Sequence, residues 1–248
     1  MRVLVVNPNT TASMTVKIGE AARAASSAGT EIIAVNPDMG PASIEGYYDE
    51  ALSLPGLLKE IAKGEAGRAD GAVIACFDDT GLDAARALAN MPVVGICEAA
   101  LAAAGMIATR ISVVTTLSRS VVPIEALVRR YGFAERAYVH AADIPVLSLE
   151  DPKSDASSIL RAAIAAALKA DKSDAVVLGC AGMADLARDL SAEFGVPVVD
   201  GVSAGVRMVE ALVGLGLKTS KSGAYATPLG KIYTGALAGF APDAIIRG

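Results

Sequence analysis

Short β-branched runs alternate with Ala- and Leu-rich segments along the whole chain. The apolar runs predict strands at 2–6, 31–35, 71–75, 92–96, 111–114, 137–140, 174–178 and 196–199. The segments between them predict helices at 11–26, 49–63, 81–89, 119–131, 156–170, 182–194 and 203–215. Apolar strands that alternate with helices of about 10–15 residues are typical of βαβ units, whose parallel sheet is covered on both faces. The pattern therefore predicts an α/β fold.

A long segment of the chain occurs twice. DGAVIAC at 70–76 matches DAVVLGC at 174–180, and in each an Asp precedes the strand and a Cys ends it. Each Cys is followed by a helical pattern and then by a strand that begins with Pro, in MPVVG and VPVVD. Upstream, LVVNPNT at 4–10 aligns with SVVTTLS at 112–118. The matched cysteines are 104 positions apart and the matched loops 108 apart, which indicates an internal repeat.

The repeat predicts two similar Rossmann-like lobes with parallel sheets, related by a pseudo-two-fold axis. Residues 1–97 plus 206–248 are expected to form the first lobe, and residues 98–205 the second. The C-terminal helix and tail have no counterpart in this alignment, and we expect them to pack on the first lobe. Ligands of open parallel sheets bind beyond the carboxyl ends of the strands. Because Cys76 and Cys180 lie at such ends, both thiols should face an active site in the cleft between the lobes.

Composition narrows the class of partner. The net charge is −5, Lys and Arg form no cluster and Trp is absent, so we expect no nucleic-acid partner. Apolar residues make up 53% of the chain, yet no run approaches the roughly 18 that a membrane span needs, so we expect no membrane partner. The N-terminal residues lack a signal-peptide pattern, which favours a cytoplasmic protein. The high apolar fraction favours a homo-oligomer.

The paired cysteines suggest acid–base chemistry. Inverting a carbon stereocentre without a cofactor requires one group that removes a proton and a second that delivers one to the opposite face. Thiols suit both roles because their usual pKa is about 8.5. A helix that follows each cysteine is expected to lower that pKa further. The polar loops at 7–10 and 115–118 could stabilise the enolate charge that forms beside a carbonyl.

Several other residues are assigned structural roles. Cys97 aligns with Val202 in the repeat and is therefore expected in the core. Asp78 and Asp79 have no acidic counterpart after the second cysteine, so we expect them to shape the loop or to support the residues that contact the substrate, rather than to catalyse. The single histidine, His140, excludes a multi-histidine metal site, and its setting favours a structural role. No metal ion is expected, and the absence of a GxGxxG motif argues against a dinucleotide cofactor.

Six motifs together make the chain recognisable. They are NPNT at 7–10, PASIEG at 41–46, ACFDDTGLDAAR at 75–86, SVVTTLSRS at 112–120, LGCAGM at 178–183 and PVVDGV at 197–202. On these motifs the chain resembles the Asp/Glu/hydantoin racemase superfamily, and within it the hydantoin and allantoin racemases. The tail KTSKSGAYATP at 218–228 also looks like that of hydantoin racemases.

The resemblance implies cofactor-independent racemisation at C5 of a five-membered cyclic ureide, a 5-monosubstituted hydantoin, with Cys76 and Cys180 as the acid/base pair. Allantoin racemisation, which is the same chemistry, and Asp/Glu-type amino-acid racemisation stay open. So does a non-catalytic small-molecule-binding protein, in which both cysteines would have ordinary roles. By motif match, the residues expected to bind or surround the substrate are Asn9, Phe77, Thr80, Thr115, Thr116, Gly182 and Met183.

Overall fold

In the computed structural model, which describes residues 1–151 and 153–245, eight strands form two parallel sheets of four. The strands are β1 (Arg2–Val6), β2 (Glu31–Val35), β3 (Gly71–Ile74), β4 (Val93–Gly95), β5 (Ile111–Thr115), β6 (Ala137–Ala141), β7 (Ala175–Gly179) and β8 (Val198–Asp200). The first sheet has the order β2-β1-β3-β4 and the second β6-β5-β7-β8, so the two share one topology. The predicted α/β fold with two similar parallel sheets is confirmed.

The helices lie between these strands and after them. They are α1 (Ala12–Ala25), α2 (Tyr47–Ala66), α3 (Leu82–Leu88), α4 (Ile96–Ile107), α5 (Val121–Arg130), α6 (Ala156–Asp171), α7 (Ala187–Phe194), α8 (Gly201–Gly214) and α9 (Pro242–Ile245). Two of the predicted helices begin with 3₁₀ turns, Ser118–Ser120 before α5 and Ala181–Leu186 before α7. Within the described ranges, none of the helices is both long and apolar enough to cross a membrane.

The sequence pattern predicts no helix at the position of α4. The predicted strand 92–96 is also too long, since β4 ends at Gly95 and Ile96 begins the helix. Most of the buried positions of α4 are small and apolar, and the helix lacks the alternation of apolar and polar faces on which the prediction depended. As α4 follows the last strand of the first sheet, it is the counterpart of α8 after the second. The prediction that the C-terminal helix has no counterpart is therefore wrong.

The helices α4 and α8 are exchanged between the two sheets. α8 packs on β3 and β4 of the first sheet, and α4 packs on β7 and β8 of the second. The two helices also contact each other so closely that a Cβ atom on Gly201 would lie 2.5 Å from the Ile96 carbonyl oxygen. A continuous core cluster contains residues of both sheets, among them Val73 and Val177. This core fixes the two sheets relative to each other and so fixes the cleft between their strand ends.

The tail after α8 runs along the first sheet. Thr219 donates to the carbonyls of Asn90 and Met91, and the Lys221 ammonium donates to the carbonyls of Arg86 and Ala87 near the end of α3. The division of the chain into lobes 1–97 plus 206–248 and 98–205 stays a prediction, and its boundary after residue 205 falls inside α8.

Candidate active site

A small cavity of about 40 Å³ lies where the carboxyl ends of β1, β3, β5 and β7 approach one another. The first sheet contributes its strand ends and the loops that follow them, as does the second. The lining residues are Asn7, Asn9, Met14, Ile44, Ala75, Cys76, Phe77, Asp78, Thr115, Thr116, Ser120, Val146, Gly179, Cys180 and Ala181. The two cysteines that the repeat aligns therefore line one cavity, each from its own sheet.

Both thiols have the same local surroundings. Cys76 follows β3 and Cys180 follows β7, and both are free and half-buried. The backbone N–H two residues further on lies close enough to each sulfur to lower its pKa, that of Asp78 at Cys76 and that of Gly182 at Cys180. Such a donor favours the thiolate, because it stabilises negative charge on sulfur. The fold thus supplies one thiolate-stabilising donor on each side of the cavity.

Burial raises the pKa of each thiol by more than these N–H donors lower it. It raises the pKa of the Cys180 thiol to about 11, and together with the Asp78 carboxyl it raises the pKa of Cys76 well above its usual range. The expectation that a following helix lowers both pKa values is therefore wrong. A 3₁₀ turn follows Cys180, and the helix after Cys76 begins only at Leu82, so neither sulfur lies at the first turn of an α-helix. In the ligand-free site both thiols are protonated at neutral pH.

The loop after β1 holds its amide side chains in a fixed arrangement. The Asn7 side chain donates to Asn9 Oδ1 (2.9 Å) and to Thr15 Oγ1 (3.0 Å). Asn9 Oδ1 also accepts the Thr11 N–H (2.9 Å). The Asn9 amide group donates to the Met14 thioether at 3.3 Å, which is a weak acceptor. The Asn9 N–H₂ group is thereby oriented and left available for a stronger acceptor in the cavity.

The loop after β5 brings hydroxyl groups to the opposite wall. Thr115 Oγ1 donates to the Gly179 carbonyl (3.0 Å), which joins the ends of β5 and β7 next to Cys180. Thr116 and Ser120 also line the cavity and are buried. This wall therefore presents neutral hydrogen-bonding groups and no charge of its own.

The other predicted site residues lie at different distances from the cavity. Phe77 lines it, whereas Thr80 and Gly182 lie beside the thiols and outside the lining. The Thr80 hydroxyl lies next to Cys76 and favours its thiolate, but it is not aligned as a regular donor, since its buried Oγ1 has no hydrogen-bond partner in the described chain. Met183 is fully buried in the core behind the second sheet.

Sequence reasoning missed several lining residues. Asp78 was expected to shape the loop or to support other site residues, yet its side chain lines the cavity. Ile44 belongs to the PASIEG motif, which gave a signal but no role. Val146 had no signal, because it begins a short 3₁₀ helix after β6 (Val146–Glu150) that the sequence pattern does not predict. Its N–H donates to Glu45 Oε1 (3.1 Å), which joins loops that follow different sheets over the cavity.

Asp79 points away from the cavity. Its carboxylate accepts the N–H groups of Cys97 (2.9 Å) and Glu98 (3.0 Å) in the first turn of α4. It also accepts the hydroxyl of Tyr131 (2.7 Å), which follows α5. Burial raises the pKa of Asp79 to about 6 against the effect of these three donors, so the group is ionised at neutral pH. Asp79 therefore joins the loop after Cys76 to α4 and α5.

Cys97 and His140 lie outside the cavity. Cys97 is fully buried in the core cluster, as the repeat predicted. His140 lies on β6, and its Nε2 is 2.6 Å from Asp171 Oδ2, which also accepts the Ser112 hydroxyl at 2.7 Å. This pairing is consistent with a structural role for the histidine.

Known proteins share both the sequence and the fold. Residues 3–209 match the family model described as Asp/Glu/Hydantoin racemase. The chain is 48% identical over 241 residues to a hydantoin racemase of Pseudomonas sp. (strain NS671), with 97% of each chain covered. It is 52% identical over 230 residues to a hydantoin racemase of Rhizobium meliloti, covering 92% of this chain and 95% of that one. A solved structure of an allantoin racemase from Klebsiella pneumoniae superposes with a TM-score of 0.95 at 51% identity, covering 98% and 99% of the two chains.

Proposed function

The chain belongs to the Asp/Glu/hydantoin racemase family, and we propose that it racemises 5-monosubstituted hydantoins by proton transfer at C5 between Cys76 and Cys180. The observation that carries this proposal is the symmetric placement of the two thiols. They end equivalent strands of two sheets, line one cavity, and each has the backbone N–H of the residue two positions further on close to its sulfur. A single thiol would need no such duplicate on the opposite wall.

The proposed reaction is balanced within the pair. One cysteine, as the thiolate, takes the C5 proton, and the other, as the thiol, donates its proton to the opposite face of C5. The product is the opposite enantiomer, and the two cysteines have exchanged protonation states. The C4 carbonyl oxygen carries the negative charge of the intermediate enolate, so hydrogen-bond donors near that oxygen lower the barrier.

The raised pKa values suit the acidity of the substrate. A thiolate whose conjugate acid has a pKa near 11 is a stronger base toward a C–H bond than a free thiolate. At pH 8, three units lower, about one Cys180 thiol in a thousand is ionised in the ligand-free protein. We therefore expect the racemisation rate to rise with pH between 7 and 9.

We propose that Asn9, Thr115 and Thr116 hold the ring, because their polar groups line the cavity on opposite walls. Phe77 supplies an apolar contact beside Cys76. Thr80, Gly182 and Met183 act on the cysteines or their backbone rather than on the ring, as they lie outside the lining.

A second candidate is racemisation of allantoin, which carries a ureido substituent at C5 of the same ring. The observation that favours it is the superposition on the Klebsiella pneumoniae allantoin racemase at a TM-score of 0.95. Both candidates require the same two cysteines and differ only in the substituent. Parallel assays with allantoin and with 5-alkyl and 5-benzyl hydantoins therefore separate them.

The decisive experiment follows optical rotation and deuterium incorporation at C5 in D₂O for the wild type, Cys76→Ser and Cys180→Ser. Each variant is expected to lose racemisation in both directions by about a hundredfold or more. Each should still exchange deuterium into a single enantiomer, a different one for each variant. Cys97→Ala is the matched control, because Cys97 is buried outside the cavity. Wild-type racemisation by both serine variants would refute the two-cysteine mechanism.

We also propose a homo-oligomer. Large apolar side chains are exposed on the tail, with Leu229 80% and Ile232 91% exposed, and such positions are typical of subunit contacts. Light scattering coupled to size-exclusion chromatography tests this, and a monomer at micromolar concentration would contradict it. A cytoplasmic location stays a prediction that cell fractionation can test.

A further inference from the structure

Two adjacent aspartates have opposite surroundings. The Asp79 carboxylate accepts three hydrogen bonds and points toward α4 and Tyr131. The Asp78 carboxyl lines the cavity and accepts no hydrogen bond from any residue in the described ranges. Its oxygens are free of protein partners in the described part of the chain and reachable from the cavity, so a donor group on a ligand can bind them.

The other polar side chains of the cavity supply neutral hydrogen-bonding groups but no charged acceptor. Asn9 Oδ1 already accepts from Asn7 and Thr11, and the Thr115 hydroxyl already donates to the Gly179 carbonyl. Among the lining residues, Asp78 has the sole carboxyl group. A cyclic ureide presents two carbonyl oxygens and two ring N–H groups, so it needs a strong acceptor as well as donors.

We propose that the Asp78 carboxylate accepts a hydrogen bond from a ring N–H of the substrate, and that it thereby selects ureide rings in which this N–H is free. This inference rests on the function proposed above, and it makes Asp78 a binding and specificity residue. A buried carboxylate left facing an N-methyl group loses its hydrogen bond and regains no water, so the methylated ring is rejected.

The charges around Asp78 make the contact depend on pH. Burial, followed by the neighbouring carboxyls of Glu50 on α2 and Asp79, raises the pKa of Asp78 to about 7. The other titratable groups close enough to interact with it are Cys76, Cys97 and Cys180, whose pKa values all lie above this range. Between pH 6 and pH 8, Asp78 changes from mostly protonated to mostly ionised, so its capacity as an acceptor increases by up to about tenfold.

The test measures inhibition constants of hydantoin, 1-methylhydantoin and 3-methylhydantoin against racemisation by the wild type, Asp78→Ala and Asp78→Asn. In the wild type, one methylated isomer should bind about tenfold to a hundredfold more weakly than hydantoin, the range expected for a hydrogen bond to a charged group. In Asp78→Ala that ratio should fall below about threefold. Equal ratios in the wild type and Asp78→Ala would overturn the proposal.

Asp78→Asn keeps the side-chain volume and removes the charge. Hydantoin should bind the wild type up to about tenfold more tightly at pH 8 than at pH 6, whereas this dependence should be absent from Asp78→Asn. An unchanged pH dependence in Asp78→Asn would also overturn the proposal. The matched control is Asp83→Asn, a nearby aspartate that pairs with Arg130 at the surface and should leave the ratios unchanged.

The outcomes separate the two proposals. If the wild type racemises substituted hydantoins, but N-methylation weakens binding equally in the wild type and in every Asp78 variant, only the proposed role of Asp78 is overturned. A wild type that neither binds nor racemises hydantoins overturns both the function and the role of Asp78.

Discussion

Replacing Asp79 with alanine removes the acceptor at the start of α4. The substitution leaves the N–H groups of Cys97 and Glu98 without a partner and frees the Tyr131 hydroxyl. Three hydrogen bonds to a charged group contribute about 1.5 kcal/mol each at the low end of their range. Part of this is offset, because burial disfavours the ionised carboxylate and raises its pKa to about 6. We therefore expect a net loss of about 1.5 kcal/mol, which lowers the melting temperature by about 3–6 °C.

The second half of the chain suggests how to restore the lost cap. Asp200, which precedes α8, accepts the N–H of Ser203 (2.7 Å) with its own side chain. Gly95 occupies the same position before α4, and its backbone angles (φ −88°, ψ 146°) nearly equal those of Asp200 (φ −93°, ψ 143°). A Cβ on Gly95 would lie 2.3 Å from Asp79 Oδ1, so the two carboxylates exclude each other.

Gly95→Asp should therefore destabilise the wild type, through this clash and the added negative charge. In the Asp79→Ala background the space is empty, and the same change should recover about 1–2 kcal/mol by capping α4. Circular dichroism melting of the wild type, both single variants and the double variant measures the coupling. Gly95→Ala in the Asp79→Ala background is the control, since it adds the Cβ without the oxygen. Additive effects, or an Asp79→Ala protein that melts like the wild type, would refute the capping role.

Three further outcomes follow from the packing and the charges. Gly201→Ala should lower the melting temperature, because its Cβ would lie 2.5 Å from the Ile96 carbonyl oxygen. Gly214→Ala in the same helix places its Cβ in open space and should raise the melting temperature slightly. Equal shifts of the two variants in calorimetry would contradict this. His140→Gln should racemise at nearly the wild-type rate, because the histidine lies outside the cavity, and a large fall in kcat would assign it a role. The rate at which iodoacetamide alkylates Cys180, measured by peptide mass spectrometry, should increase about tenfold per pH unit from pH 7 to 9. The reason is that a pKa of about 11 leaves this thiol mostly protonated in that range. A rate that levels off near pH 8.5 would contradict this prediction.

The apolar pattern predicted the strands well because each is a short apolar run, and the central strands β1, β3, β5 and β7 are almost completely buried. The repeat also paired Cys76 with Cys180 from the sequence alone, because the two cysteines follow strands that occupy equivalent positions in the two sheets. The pattern failed at α4, where an almost uniformly apolar run carries no periodicity. It could not separate Asp78 from Asp79 either. These two neighbouring aspartates differ in the direction of their side chains. The direction of Asp79 depends on its hydrogen bonds to α4, which the sequence pattern does not show.

The pKa of each thiol is set by two opposing effects, and the sequence does not give their relative size. A following helix and a nearby N–H favour the thiolate, and loss of solvent opposes it. The position of Cys180 in the chain revealed the first effect. Only the folded structure, which buries the sulfur among the loops around the cavity, revealed the second effect, which is larger.

The exchange of α4 and α8 has a consequence for how activity arises during folding. Each sheet obtains part of its cover from a helix attached to the other, so a fragment that ends after α4 lacks α8 and would leave apolar faces of β3 and β4 in water. Neither half should be a stable unit by itself, whereas two fragments divided at the loop 108–110 should reassociate and recover activity on mixing. The cysteines would then come from different polypeptides, and the regain of racemisation would report directly on the docking of the halves.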